Sequence, residues 1–185
     1  IMPADIRLKV VLCWHMHQPQ YRDLVSGNYH LPWTYLHAIK DYTDMATHLE
    51  AVPAARAVVN FAPLLLEQIE DYIGQIGAYL HGHGAIHDPV LAGLAEPALP
   101  GNQQTRLRLI RDCLRANRNH MINRFEPYKR LATMADWYTE HPQSLIYASN
   151  QFLADLLVWY HLSWMAESVL RSDTCIARLQ NKAFN

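Results

Sequence analysis

Residues 10–19 read VVLCWHMHQP, an apolar run that ends in two histidines, an amide and a proline. Such a run predicts a buried β-strand. Because strand side chains alternate between faces, His15 and His17 share one face and Trp14 lies on the other. Pro19 has no N–H to give to a sheet, so pairing is expected to stop before it. Ligands commonly bind where the strands of α/β sheets end, so the face that carries the imidazoles is a candidate site.

A second β-branched run predicts a second strand. Helical periodicity between the two runs predicts a helix over 33–51. A strand, a crossover helix and a second strand form a right-handed βαβ unit, so strands at about 8–15 and 57–61 are expected to pair in parallel. Asn60 is then expected near the sheet edge that carries His17. It is either a candidate ligand-binding amide or an asparagine that forms a turn.

The rest of the 185-residue chain is expected to be mainly helical, in a single α/β domain. A segment at about 81–102, rich in histidine, glycine and proline, predicts a long loop that is inserted over one end of the fold. The other predicted elements are a loop at 21–31, helices at about 64–80, 103–125, 128–139 and 149–169, and a segment without a capping signal at 174–185.

Composition excludes several classes of function. The 16 basic residues balance 17 acidic ones, and the clustered arginines have the spacing of one solvated helix face, so no nucleic-acid partner is expected. Three widely spaced cysteines argue against a disulfide framework and indicate a reducing compartment, which predicts a cytoplasmic protein. No apolar run reaches the about 18 residues that span a bilayer, and no signal-peptide pattern is present, so no membrane partner is expected. No cofactor is expected.

Two groups contain residue types that bind metals. Side chains spaced along one helix face more commonly form surface hydrogen bonds than a metal site. Histidines separated by glycines are poorly organised, so adventitious binding is the simpler interpretation for them. No metal site is therefore predicted. The two groups are the helical stripe of His37, Asp41, Asp44 and His48, and the loop histidines His81, His83 and His87.

The run from His15 to Pro19 resembles the first signature of glycoside hydrolase family 57, in which a strand ends in a His-x-His-Gln-Pro pattern. Three further blocks agree in order, and the resemblance extends from about residue 9 to residue 166 apart from the 81–102 insertion. These blocks are Leu31, Pro32 and Trp33 followed by His37, Ala38, Lys40, Asp41 and Tyr42; Val59, Asn60 and Phe61 with Pro63, Leu65, Leu66, Glu67, Gln68 and Tyr72; and Asp155 and Leu156 with Val158, Trp159, Tyr160, Leu162 and Trp164.

The resemblance implies a retaining enzyme that acts on an α-glucan or maltooligosaccharide, of the amylase, amylopullulanase, branching-enzyme or glucanotransferase type. It also implies an incomplete seven-stranded (β/α) barrel. His15 and His17 would touch the sugar at the scissile bond, Gln18 and Pro19 would shape the turn, and Trp33 would belong to a loop on the substrate side. With Asn60 from the strand pairing, the candidate substrate-binding residues are His15, His17, Gln18, Trp33 and Asn60.

The catalytic carboxyl groups are not recognised. A retaining mechanism needs a nucleophile and an acid/base about 5–5.5 Å apart. In the family these are a glutamate and an aspartate on later strands, whose signatures are not found here. We therefore expect residues 1–185 to be the N-terminal part of the barrel catalytic domain, truncated before those strands, with no catalytic residue of its own. The glutamate and the aspartate are expected beyond Asn185.

Two alternatives from other classes remain open. A His-x-His pair at a strand end also begins the zinc site of some barrel hydrolases, which predicts a metal-dependent hydrolase. A non-catalytic carbohydrate-binding or interaction module is the other. A barrel that is cut after two strands leaves an uncovered sheet edge, which predicts self-association of the isolated chain.

Overall fold

The computed structural model describes residues 10–95 and 99–184. In these ranges two short strands, β1 (Cys13–Met16) and β2 (Val58–Phe61), lie side by side. They pair in parallel. The parallel pairing predicted from the sequence is confirmed.

β1 is shorter than the predicted strand. Of that prediction, Leu8 and Lys9 lie outside the described residues, and residues 10–12 are not in a strand. Cys13 pairs with Val58, the first residue of β2. Pairing begins at Cys13 because β2 begins at Val58. In the described part of the chain, no strand residue before Val58 is present to pair with residues 10–12.

The prediction that the first strand is buried is wrong. In β1, Cys13 and His15 are exposed and Trp14 is half-buried, whereas Met16 is only 6% exposed. One face of the sheet is thus covered, at least at Met16. The other face, which carries His15 and Asn60, is open to solvent, since both residues are exposed, as are Cys13 and Val58 on the same face.

The helix predicted over 33–51 is present and contains a π segment. Ala166 N donates to Ile39 O at 3.0 Å, and Thr43 Oγ1 donates to Ala38 O at 2.8 Å. Because these two donors engage carbonyls at the wider turn, a contact from a distant part of the chain stabilises the irregularity. In order, the elements are α1 (Trp33–His37), the π segment (Ala38–Tyr42) and α2 (Thr43–Ala51).

The remainder of the described chain is predominantly helical, as predicted. α3 (Pro63–Leu80) follows β2 directly, with a proline in its first turn where the missing N–H has no consequence. The remaining elements are α4 (Pro89–Ala95), α5 (Gln103–Cys113), a second π segment (Arg118–Ile122), α6 (Glu126–Glu140), a 3₁₀ segment (Pro142–Tyr147), α7 (Asn150–Ser163), α8 (Glu167–Ser172) and α9 (Thr174–Lys182).

The segment predicted as a loop at 81–102 contains helix α4, so that prediction is wrong in this part. Buried Asp88 nucleates the helix, because its Oδ1 accepts from the amide of Val90 at 2.9 Å. Tyr72 OH donates to Asp88 Oδ2 at 2.8 Å and ties α4 to α3. Residues 96–98 lie outside the described residues.

The single helix predicted over 103–125 is wrong, because the chain breaks after α5. Asn117 Oδ1 accepts from the amide of His120 at 3.0 Å and starts the second π segment. Asparagine favours such a cap over the helix interior because its side chain competes for backbone hydrogen bonds. The start of α5 is as predicted, since Asn102 Oδ1 accepts from the amide of Thr105 at 2.8 Å.

The C-terminal part also differs from prediction. The helix predicted over 149–169 ends with α7, and α8 is a separate helix. Of the segment at 174–185, predicted to lack a cap, residues 174–182 form α9, and Asn185 lies outside the described residues. Asp173 caps α9, because its Oδ1 accepts from the amide of Cys175 at 2.8 Å.

The hydrophobic core is helical, with α7 at its centre. Most side chains of α7 are buried, as its broad apolar surface predicts. Among the described residues, no helix is long and apolar enough to cross a membrane. Core side chains with at most 3% exposure include Leu36, Tyr72, Ile110, Tyr128, Leu153 and Tyr160.

Candidate functional site

The paired strands bring His15 and Asn60 together on the open face of the sheet. Their register places the two residues opposite each other, and His15 Nδ1 lies 2.7 Å from Asn60 Oδ1. An amide oxygen only accepts, so Nδ1 carries the proton and donates. In the neutral ring, His15 Nε2 is then a hydrogen-bond acceptor, and the amide group of Asn60 is a donor beside it.

His17 extends this open face toward the carboxyl end of β1. Its ring stacks on that of His15, with centroids 6.0 Å apart and planes inclined by 11°. The prediction that the two histidines share a face is confirmed. Both residues are exposed, so their imidazoles are accessible to a ligand.

Gln18 links the strand end to the helix that follows. Its Nε2 donates to Tyr42 OH at 3.3 Å, and Tyr21 OH donates to its Oε1 at 3.2 Å. Partial burial raises the pKa of Tyr21, so the phenol stays protonated and can keep this bond. Gln18 therefore holds the turn to the helix, as well as being a candidate substrate-binding residue.

Gln68 on α3 anchors the chain after β1. It is 1% exposed, its Nε2 donates to Pro19 O at 3.0 Å, and its Oε1 accepts from Tyr21 N at 3.0 Å. This positioning role was missed in the sequence. The available signal was a glutamine at a position where α3 faces the core.

An open cleft of about 600 Å³ lies next to this turn. Trp33 and Trp164 form one wall, with ring centroids 5.7 Å apart and planes inclined by 46°. Tyr21 lines the cleft and bonds Gln18, so the cleft is continuous with the strand-end network. The other lining residues are His37, Leu114, Arg115, Ala116, Asn117 and Met121.

His37 is a cleft residue that the sequence did not assign to the site. Its Nδ1 is hydrogen-bonded to Asp41 Oδ2, and its ring meets that of Trp164 edge-on at 5.4 Å. Both residues occur in the blocks that match the family, so their spacing offered a signal. The cleft thus combines aromatic faces with an oriented imidazole.

The helical stripe that contains His37 does not converge on one point. Asp44 turns away to α8, where it accepts from Glu167 N at 2.8 Å and from Ser168 N at 3.1 Å. These bonds lower the pKa of Asp44 against the opposing effect of its burial. Across residues 10–95 and 99–184, no group of three or more His, Cys, Asp or Glu side chains is placed to hold a metal ion.

The five predicted site residues thus form two neighbouring groups. His15, His17 and Asn60 lie on the open sheet face, and Trp33 lies in the cleft. Gln18 bridges toward the cleft through Tyr21. Trp164 and Arg115 complete the cleft but were not predicted, because they lie far from Trp33 in sequence, directly after α7 and in the connection after α5.

Comparison with known proteins supports the resemblance seen in the sequence. Neither the curated proteins nor the solved structures gave a match. The family model described as Glycosyl hydrolase family 57 matches residues 11–172, which is most of the chain and includes both strands and the cleft. Enzymes of such a family cleave or transfer glycosidic bonds, so their substrates are carbohydrates. The chain therefore belongs to glycosyl hydrolase family 57.

Proposed function

We propose that this chain is the substrate-binding, N-terminal part of a retaining glycoside hydrolase or transglycosylase that acts on α-glucans. The observation that carries the proposal is the His15–Asn60 pair, which lies beside His17 on an open sheet face and next to an aromatic cleft. Family membership supports a carbohydrate substrate. The choice of α-glucan rests on the matching sequence blocks.

The chemistry of the two groups is complementary to a sugar. A sugar hydroxyl both donates and accepts, and the pair offers an acceptor at His15 Nε2 with a donor at Asn60 Nδ2. A pyranose ring also has apolar faces that pack on indole rings such as that of Trp33. The strand end would hold hydroxyl groups while the cleft holds neighbouring rings of the same chain.

We propose that β1 and β2 are the first strands of an incomplete (β/α) barrel and that its catalytic carboxyl groups come from later strands. In the retaining mechanism, the acid protonates the glycosidic oxygen while the nucleophile attacks the anomeric carbon and forms a glycosyl-enzyme. Water or a sugar hydroxyl then releases the sugar. The residues of this chain bind and orient the sugar for that attack.

We also infer that the isolated chain self-associates through its open sheet. Val58 of β2 is 54% exposed on the face that carries His15, and Val11, shortly before β1, is 76% exposed. Each strand has one unpaired edge in the described sheet. Exposed apolar strands with free edges favour pairing with another copy.

Titration of the chain with maltohexaose, followed by calorimetry, tests the binding function. We expect saturable binding that His15→Ala or Asn60→Ala weakens by about fivefold or more, the effect of one lost hydrogen bond. Cellohexaose, which has β linkages, is expected to bind less tightly.

His81→Ala is the matched control, since His81 is an exposed histidine after α3 and away from the sheet. It should bind maltohexaose like the unchanged chain. Failure of the unchanged chain to bind, or an equal loss in the control, contradicts the proposal.

A further inference from the structure

His37 faces the cleft with one nitrogen engaged and one available. Among the described residues, its Nδ1 is bonded to Asp41, and no hydrogen bond is formed by its Nε2. Its side chain is 32% exposed, so a ligand in the cleft can reach the ring. The carboxylate accepts a hydrogen bond from Nδ1–H, so Nε2 of the neutral ring is an acceptor.

The ring of His37 is fixed by the aromatic side chains around it. It packs edge-on against Trp164 with planes at 83°, and its centroid lies 6.5 Å from that of Trp33 and 6.5 Å from that of Tyr42. A hydrogen-bonding imidazole therefore lies close to two indole rings. This combination of a flat apolar surface and an oriented polar atom suits one sugar ring.

The π segment fixes the His37–Asp41 dyad relative to the cleft wall. Asp41 belongs to this segment, whose Ile39 carbonyl is bonded to Ala166 N at 3.0 Å. Ala166 follows Trp164 closely, so one stretch of chain supplies both the cleft wall and the contact that stabilises the π turn. The dyad is thus preorganised, which reduces the entropy cost of binding.

We infer that His37 is a sugar-binding residue of a second subsite. There, Nε2 accepts a hydroxyl of a glucose unit whose ring lies against Trp33, and Asp41 is the positioning residue that holds the imidazole in the required tautomer. The inference rests on the proposed function. It adds a subsite that is separate from the His15–Asn60 pair.

The test is His37→Phe, which keeps an aromatic ring against Trp164 and removes the acceptor. We expect maltohexaose affinity to fall about five- to tenfold, as for one lost hydrogen bond. His48→Phe is the matched control, because His48 is an exposed histidine further along the same helix. It should leave affinity unchanged. If His37→Phe does not fold, His37→Leu, which also removes the acceptor, replaces it.

Nitrogen-15 chemical shifts of the histidine rings give a readout that a purely structural role would not move. We expect His37 to be protonated at Nδ1 and its Nε2 signal to shift on addition of maltohexaose. Asp41→Ala should allow both neutral tautomers and weaken binding. An unshifted Nε2 signal overturns the inference.

Failure of the two proposals can be distinguished. If the unchanged chain binds maltohexaose and His15→Ala weakens it, while His37→Phe binds normally, the second subsite is wrong and the proposed function stands. If the unchanged chain does not bind, both are wrong. Equal losses in His37→Phe and His48→Phe also overturn the subsite.

Discussion

Asn60 determines which hydrogen-bonding atom His15 presents to solvent. Since Nδ1–H of His15 donates a hydrogen bond to Asn60 Oδ1, with the two atoms 2.7 Å apart, Nε2 of the neutral ring is left as an acceptor. His37 has the same arrangement, with Asp41 in place of the amide. Two imidazoles are thus oriented by neighbouring side chains, and of these Asp41 does not need to touch the sugar itself.

His17 is the predicted site residue that can be changed with least structural cost. It is exposed, and among the described residues its ring contacts that of His15. In the complete enzyme we expect His17→Ala to lower kcat/KM at least tenfold while stability changes by less than about 0.5 kcal/mol, as for surface substitutions. Starch-hydrolysis kinetics and thermal melts measure the two effects. Normal turnover with a markedly lower Tm would show that His17 is structural.

The buried side chain of His161 should make the free energy of unfolding depend on pH. Its Nδ1 donates to Leu157 O at 2.7 Å, Tyr35 OH donates to its Nε2 at 2.9 Å, and burial lowers its pKa to about 4. In the unfolded chain this histidine has its ordinary pKa near 6.5, so between these two values the unfolded state binds more protons. Stability should therefore fall as the pH drops through this window, by about 3 kcal/mol in total.

Urea unfolding at several pH values between 7.5 and 4 measures this dependence. His161→Leu removes the titrating group, so its stability should change less over the same window. Tyr35 OH loses its acceptor in this variant, but that cost is independent of pH. An identical pH dependence in both proteins would contradict the assignment.

At the scale of elements, helix α4 depends on one buried carboxylate. Asp88 accepts from the amides of Val90 and Leu91 and from Tyr72 OH, and burial raises its pKa. Asp88→Ala removes the cap and leaves the phenol unpaired, so we expect a loss of about 2–4 kcal/mol. Asp88→Asn keeps an acceptor and should lose less. Urea unfolding at pH 7 compares the two, and equal stabilities would contradict this role.

The elements that the sequence predicted correctly are those encoded by local patterns. Parallel pairing of β1 and β2 followed from two apolar runs and a crossover helix, and Asn102 caps α5 as its position indicated. The break at Asn117 was not predicted because a capping side chain competes with an otherwise continuous helical pattern.

The candidate site was predictable only at the strand end, because only there does a local sequence pattern determine which residues lie together. His15 and His17 are neighbours in sequence, so alternation alone places them together. The cleft depends on tertiary contacts, such as those of Asp44 with Glu167 and Ser168. No local pattern reports a contact between residues so far apart in the chain, and for this reason Trp164 was not predicted as a cleft residue.

At the scale of the whole molecule, we expect the 185-residue chain to bind glucan without cleaving it. A retaining reaction needs both a nucleophile and a proton donor, and the proposal assigns both to later strands. Reducing-sugar assays on soluble starch and maltohexaose test this. Clear turnover that disappears on changing Glu50, Glu67 or another glutamate of this chain would contradict it.

Because its sheet is open, the isolated chain should have a mass in solution that depends on concentration. Val58 in β2 is 54% exposed, Val11 shortly before β1 is 76% exposed, and both strands have unpaired edges in the described sheet. We expect light scattering of the isolated chain to give a mass that rises with concentration. Val11→Lys with Val58→Lys should shift it toward the monomer, because burying two charges between copies is unfavourable. Val25→Lys is the control, since Val25 is 99% exposed in the loop before α1. A mass that stays monomeric at every concentration, or equal shifts in both variants, would contradict association through the sheet.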